Sequence, residues 1–290
     1  MDSAWPVRNL EYKQLVAIPL IVAVIFGVAI FVNGVPLGME FSGGQYIEIK
    51  NVENMPSSVT EVEDAIKNEI GGEVKLYLSD NGLDIETSLV LSGEQENQLK
   101  DTLREDFGID GDYSTPRRMG SVITSLYQEQ ARLAVIAAAI VMAIILFVVL
   151  RHLTTVGGIL SVIGLDLVGI FGCMAILGIP LSLASMAGIL LILGYAVNTN
   201  ILLCTRVLKR VGGSVRDRAA DAMSTGVAMS TTSASALIAL NLVSTAPELH
   251  QLSAVIVIGI LVDMMNTWLL NSGIIMKHAE KEAKKYHGKI

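Results

Sequence analysis

The side chains of this chain that could do chemistry sit where lipid-soluble ones belong. "GYAVNTNILL", residues 194–203, places Asn198, Thr199 and Asn200 inside a strongly apolar run. A primary amide carries donors and an acceptor that hydrocarbon cannot satisfy, so each needs a partner or a cavity. Two carboxylates share that setting, Asp166 in "GLDLVGI" and Asp263 in "ILVDMMN". An unpaired carboxylate there costs roughly 3 kcal/mol or more and normally marks an ion path, a salt bridge or a neutralised acid. Asp166 lies near the middle of its run and is a candidate proton carrier. Asp263 has Asn266 one turn on, and the hydroxyls of Thr231 and Thr232 in another segment are its expected partners. For both, a hydrogen-bonded helix clamp is the rival reading.

Helical geometry separates the two amides. At about 100° per residue, Asn198 and Asn200 lie about 200° apart and cannot face one partner. Tyr195, Thr199, Leu202 and Arg206 form one stripe, and Leu191, Gly194, Asn198, Ile201 and Thr205 another. One amide is expected to face a separate subunit and the other an internal helix, unless both are simple interhelical glue. Other chemistry is thin. The four histidines, His152, His250, His278 and His287, all lie at segment ends without metal-ligand spacing. No glycine-rich phosphate loop and no Gly-x-Ser-x-Gly elbow occurs. The sequence therefore points to neither an enzyme, a resident cofactor nor a metal site.

These residues must be positioned by membrane helices. The chain is 52% apolar and only 17% charged over 290 residues, against about a quarter charged in soluble domains. Runs long enough to cross about 30 Å of hydrocarbon occur at 15–32, 133–150, 155–177, 183–205, 225–245 and 252–276. The fifth, with "STTSASALIALNL", is rich in small and hydroxyl residues and is expected to pack in the interior. The first is too long for a signal-peptide core and no small-residue cleavage site follows, so it reads as a retained anchor. Cys173 and Cys204 both fall in apolar runs and read as buried thiols.

Charge is segregated. Residues 34–130 hold 19 of the 28 acids but only 7 of the 21 lysines and arginines, so nucleic acid is excluded as a partner of that surface. The basic residues gather at Arg8 and Lys13, at Arg151, at Arg206, Lys209, Arg210, Arg216 and Arg218, and in the tail from Lys277 to Lys289. The intervening turns 178–180 and 246–251 carry none. By the positive-inside rule both termini are cytoplasmic, and 34–130 is external. The basic loop 209–218 is expected to set topology and touch anionic lipid. The plan is a cytoplasmic N-terminus and first span (1–33), an external acidic domain (34–130), a five-helix bundle (131–276) and a basic cytoplasmic tail (277–290).

Within 34–130, "QYIEIKNV" alternates as a half-buried strand does. "SSVTEVEDAIKNEIGG" reads as a helix with a capping box from Ser58 to Glu61. "EVKLYLS" and "LDIETS" read as strands joined by the turn Asp80-Asn81-Gly82, followed by a helix capped by Ser92 and a last strand in "DYSTPRR". That order, β-α-β-β-α-β, predicts a ferredoxin-like α+β domain between spans one and two. "MGSVITSLYQEQARLAV" is helical and is expected to run directly into span two.

Six spans with an insert after the first resembles one half of a resistance-nodulation-division transporter. Four stretches carry a more specific resemblance, to the SecF family of protein-export subunits in its archaeal form: "GMEFSGGQYIEI" (38–49), "RRMGSVITSLYQEQ", "GYAVNTNILLCTRVLKR" and "GILVDMMNTWLLNSGI". In the first, Gly38, Glu40, Phe41, Gly43 and Gly44 match the glycine-bracketed, acid-containing motif that opens the family's external domain. Arg206 matches the arginine ending its fourth span, where a snorkelling topology anchor is the plainer reading. The resemblance implies a multi-pass plasma-membrane subunit that pairs with a six-span SecD-like chain. It also implies assistance to the SecY channel in exporting preproteins, driven by the proton gradient through movement of the external domain. The resemblance implies carboxylates at or beside these positions, archaeal members tending to read Asp-Thr-Asp where this chain has Asn198-Thr199-Asn200, so proton coupling through span four is in question. An ion pathway or polar network of Asp166, Asn198, Thr199, Asn200, Asp263 and Arg206 is the expected site. The rival functions are a stand-alone exporter half for lipids or small hydrophobes, and a translocase scaffold that does not use the gradient.

Overall fold

A computed structural model describes residues 4–287 apart from 53, 57, 80, 81, 152, 210, 211 and 245, with the backbone alone at 79, 154 and 282–287. Asp80 and Asn81 of the expected turn lie outside the described residues. The chain divides into two compact units, Leu37–Arg132 on one side and Met1–Pro36 with Leu133–Ile290 on the other.

The smaller unit begins with the short helix α3 (Met39–Ser42), after α1 (Trp5–Asn9) and α2 (Tyr12–Asn33) of the larger one. It continues with β1 (Gly44–Lys50), α4 (Val59–Ile70), β2 (Val74–Ser79), β3 (Gly82–Thr87), α5 (Gly93–Glu105), β4 (Asp112–Tyr113) and β5 (Arg117–Met119). The strand order is β2-β3-β1-β4, with β5 also on β1, and every pairing is antiparallel. Alternation along β1 and β3 turns Ile47, Ile49, Leu83 and Ile85 to one face. There they meet Val62, Ile66 and Ile70 of α4 and Leu99 and Leu103 of α5. Each such buried aliphatic contributes about 1.5–3 kcal/mol.

Ser92 caps α5 in a full box with Gln95, each side chain bonding the other's backbone N–H. At α4 only the forward half forms among the described residues, Ser58 Oγ accepting from Glu61 N–H at 3.4 Å. The expected last strand is two short ones. Pro116, between them, has no N–H to give to the ladder.

Among the described residues, six helical segments are long and apolar enough to cross a membrane. They are α2, α6 (Ser121–Leu150), α7 (Leu153–Leu177), α8 (Leu183–Cys204) with a π turn at Thr205–Lys209, and α9 (Val215–Val243). The sixth is α10 (Pro247–Met265), which passes through a π turn at Asn266–Asn271 into α11 (Ser272–His287). The connecting segment before span two and the span itself are one unbroken helix, α6.

Glycines set the helix approaches. A Cβ on Gly169 would lie 2.5 Å from Val262, and one on Gly259 would lie 2.5 Å from Ile192. Cβ atoms on Gly172 and Gly226 would collide with Phe26 and Trp268. These glycines make room for side chains of the facing helices, as small residues do at membrane-helix contacts. The sixth span lies between α7, α8 and α9.

Span five differs from expectation. Its Gly226, Ser230 and Ala234 stripe packs inward, but Ser224, Ala228, Thr231, Thr232 and Ser235 are exposed. The small-residue signal was read as an interior position, yet within this single chain only one side of the helix has a neighbour. Their hydroxyls donate back to their own helix, Thr231 to Val227 O and Thr232 to Ala228 O, both at 2.8 Å.

A candidate polar site among spans three, four and six

The π turns do most to shape the site. A π turn widens the helix, recurs at functional positions and reorients successive side chains. In span six it spans Asn266, Thr267, Trp268 and Asn271, all buried. Just before it, Asp263 is fully buried. It accepts from Thr267 Oγ1 at 2.8 Å through Oδ1, and from Thr199 Oγ1 of span four at 2.9 Å through Oδ2. The expected partners Thr231 and Thr232 do not reach it, because they lie on the outer side of span five. Nor does Asn266 turn to Asp263. Its Nδ2 donates instead to Asp166 Oδ1 of span three at 2.8 Å.

The two asparagines of span four diverge. Asn200 is fully buried and its Nδ2 donates to Thr267 Oγ1 at 3.0 Å and Ala196 O at 2.8 Å. Its Oδ1 accepts from Asn271 Nδ2. Asn198 is exposed, on a stripe with Ala187, Leu191 and Gly194 that this chain leaves uncovered. A Cβ built on Gly194 meets nothing within 4 Å.

Thus Asp166, Thr199, Asn200 and Asp263 are joined through span six, whereas Asn198 and Arg206 lie outside the network. Arg206 pairs instead with Asp221 of α9 at 2.6 Å. Both partners are partly exposed, so the pair contributes about 1 kcal/mol or less. Two members had not been singled out in the sequence, Thr267 and Asn271. The spacing 263, 266, 267, 271 in "DMMNTWLLN" is the signal that was available, since polar residues recurring on one helical face inside an apolar span mark a shared cavity.

Oxygens remain in excess. Asp166 Oδ2, Asn266 Oδ1 and Asn271 Oδ1 are buried without a hydrogen-bond partner among the described residues. Neither carboxylate forms an ion pair among the described residues. One buried donor of the same turn, Trp268 Nε1, also lacks a partner among the described residues, so three acceptors stand against one donor, a balance that suits a proton or another cation better than an anion.

The motif that opens the smaller unit is structural in its placement. Gly38 precedes α3, where Phe41 is buried, and Gly43 and Gly44 follow at φ +78° and +124°. A Cβ on Gly44 would collide with Thr87 O, so β1 can lie against β3 only with glycine there. Glu40 is half-buried and stands near Glu86.

The family described as protein export membrane protein SecD/SecF, C-terminal, matches residues 99–281. The protein-export membrane protein SecF of Methanocaldococcus jannaschii is 33% identical over 285 residues, 95% of this chain and 99% of its own. That of Methanothermobacter thermautotrophicus is 34% identical over 280 residues, 93% of each. Among solved structures, SecDF from a Thermus species, described as a translocon-associated membrane protein, matches with a TM-score of 0.74 at 18% identity. The match covers 95% of this chain and 38% of that longer one. A second SecDF structure gives 0.61 at 16% identity.

Proposed function

The chain belongs to the SecF family of protein-export membrane proteins, and we propose that it is the SecF subunit of a translocase accessory complex, pairing with a SecD-like six-span chain to assist export through the SecY channel. The observation that carries this is the end-to-end likeness to SecF of Methanocaldococcus jannaschii, over 95% of one chain and 99% of the other. In this reading the Leu37–Arg132 unit is a ferredoxin-like domain on the outer face of the plasma membrane, its β2-β3-β1-β4 order being that of a split β-α-β sandwich. Both termini are cytoplasmic, as the lysine and arginine distribution favours. The basic residues between spans four and five rest against anionic lipid.

The uncovered stripe of Ala187, Leu191, Gly194 and Asn198 is the face offered to the SecD-like partner. Small residues flanking one amide suit close helix approach with an interhelical hydrogen bond. Protons pass through the Asp166–Asp263 region in place of span four, whose amides cannot titrate. The test is export of a reporter preprotein in cells lacking the native subunit, with and without an uncoupler. Restoration that the uncoupler abolishes supports the reading. Restoration indifferent to the uncoupler leaves a non-transducing scaffold, the alternative that Asn198 and Asn200 favour.

A further inference from the structure

We infer that Asp166 is a neutral carboxylic acid whose proton closes a cyclic acid–amide pair with Asn266, so that spans three and six hold one proton between two carboxyl groups. Asp166 is 2% exposed and Asn266 1%. One side of the pair is made: Asn266 Nδ2 donates to Asp166 Oδ1 at 2.8 Å. The complementary atoms, Asp166 Oδ2 and Asn266 Oδ1, are both buried and both lack a donor. They are two acceptors, one from each side chain, and neither alone can satisfy the other. A single hydrogen on Asp166 Oδ2, donated to Asn266 Oδ1, satisfies both and makes the ring. That proton removes two unsatisfied buried oxygens at once, each of which would otherwise cost about 1–3 kcal/mol.

Asp263 has the opposite environment. Each of its oxygens faces a hydroxyl donor, Thr267 at 2.8 Å and Thr199 at 2.9 Å, the Thr199 hydroxyl being shared with Ala196 O at 2.9 Å. That arrangement favours a carboxylate, since donors to the charged form stabilise it. Two buried carboxylates with no cation between them repel, so one holds the proton and the other the charge. The donor pattern assigns the proton to Asp166. Gly169, one turn along span three, allows the close approach to Val262 of span six that brings the two side chains together.

The assignment rests on the proposed proton handling for its purpose, and its test is independent of export. Infrared difference spectroscopy on the full chain in lipid reads protonated carboxyl groups directly, by a carbonyl band that shifts in D2O. The Glu86→Gln background removes the one carboxylate of the smaller unit, among the described residues, whose burial favours its neutral form. At neutral pH the band is expected in that background, absent in Asp166→Asn and retained in Asp263→Asn. Asp166→Asn keeps the ring as an amide–amide pair, so its melting temperature should match the parent. Should that variant fail to fold, titrating the parent to high pH gives the same reading, as one carboxyl band lost. A neutral-pH band that is missing, or that disappears with Asp263→Asn, overturns the assignment. Uncoupler-sensitive export without the band would leave the proposed function standing, whereas the band with uncoupler-indifferent export would leave only the assignment.

Discussion

Thr199 Oγ1 of span four lies 2.9 Å from Asp263 Oδ2 of span six, both buried, and this bond ties the two spans at the depth where the chain is otherwise apolar. Replacing Thr199 with valine keeps the shape and removes the donor. Asp263 then retains Thr267 alone, and the loss should be about 1–3 kcal/mol, the range for a buried acceptor left short of a partner. Thermal unfolding of Thr199→Val in detergent measures it. An unchanged midpoint would mean that Asp263 is protonated or hydrated there.

The two amides should respond differently. Asn200→Leu strips Thr267 and Asn271 of a partner and should destabilise the chain by about 1–3 kcal/mol. Asn198→Leu, on the uncovered stripe, should leave unfolding unchanged and weaken recovery of a partner subunit. Paired melting and co-purification on both variants read the contrast. Equal destabilisation by the two would contradict the divergence of their faces.

Gly226 meets the indole of Trp268, which is 1% exposed. Alanine there forces the ring or span five to move, with overpacking in the range of about 1–3 kcal/mol. Gly194→Ala, facing open space, is the control and should be neutral within about 0.5 kcal/mol. Tryptophan fluorescence follows the first change and melting follows both.

In the smaller unit, burial holds the Glu86 carboxyl above the usual carboxylate range. Lys75 opposes that shift and Glu40 adds to it, while the Met39 N–H and Tyr77 hydroxyl bond the charged form. With burial the largest influence, the neutral acid is the better-buried form. Its stabilising contribution is full at low pH and is lost as pH rises through the folded value. Hydrogen exchange across Met39–Ser42, corrected for the intrinsic rate, should therefore rise from mildly acid to neutral pH. Glu86→Gln should flatten that rise. Identical profiles for the two proteins would contradict the link.

Much of this was legible in the residues because it is local. Six spans follow from hydropathy summed over about twenty residues. Ser92 caps α5 through Gln95, three positions on. What was not legible depends on tertiary arrangement. Whether Asp263 meets Thr199 or Thr231 turns on which side of span six each helix takes, which side-chain periodicity does not encode. The π turn at Asn266–Asn271, which lies between Asp263 and Asn271, carries no distinct composition. Span five was read as interior because small residues mark packing surfaces. They do, but half of that surface lacks its neighbour within one chain.

As the SecF subunit proposed above, this chain works with a different six-span chain. The most direct test of that pairing is mild-detergent purification of the tagged protein from native membranes, with mass spectrometry of what travels with it. A second, SecD-like six-span protein is expected in equal amount, with SecY channel subunits in lesser amount. Recovery of this chain alone, as a homo-oligomer, would contradict the pairing.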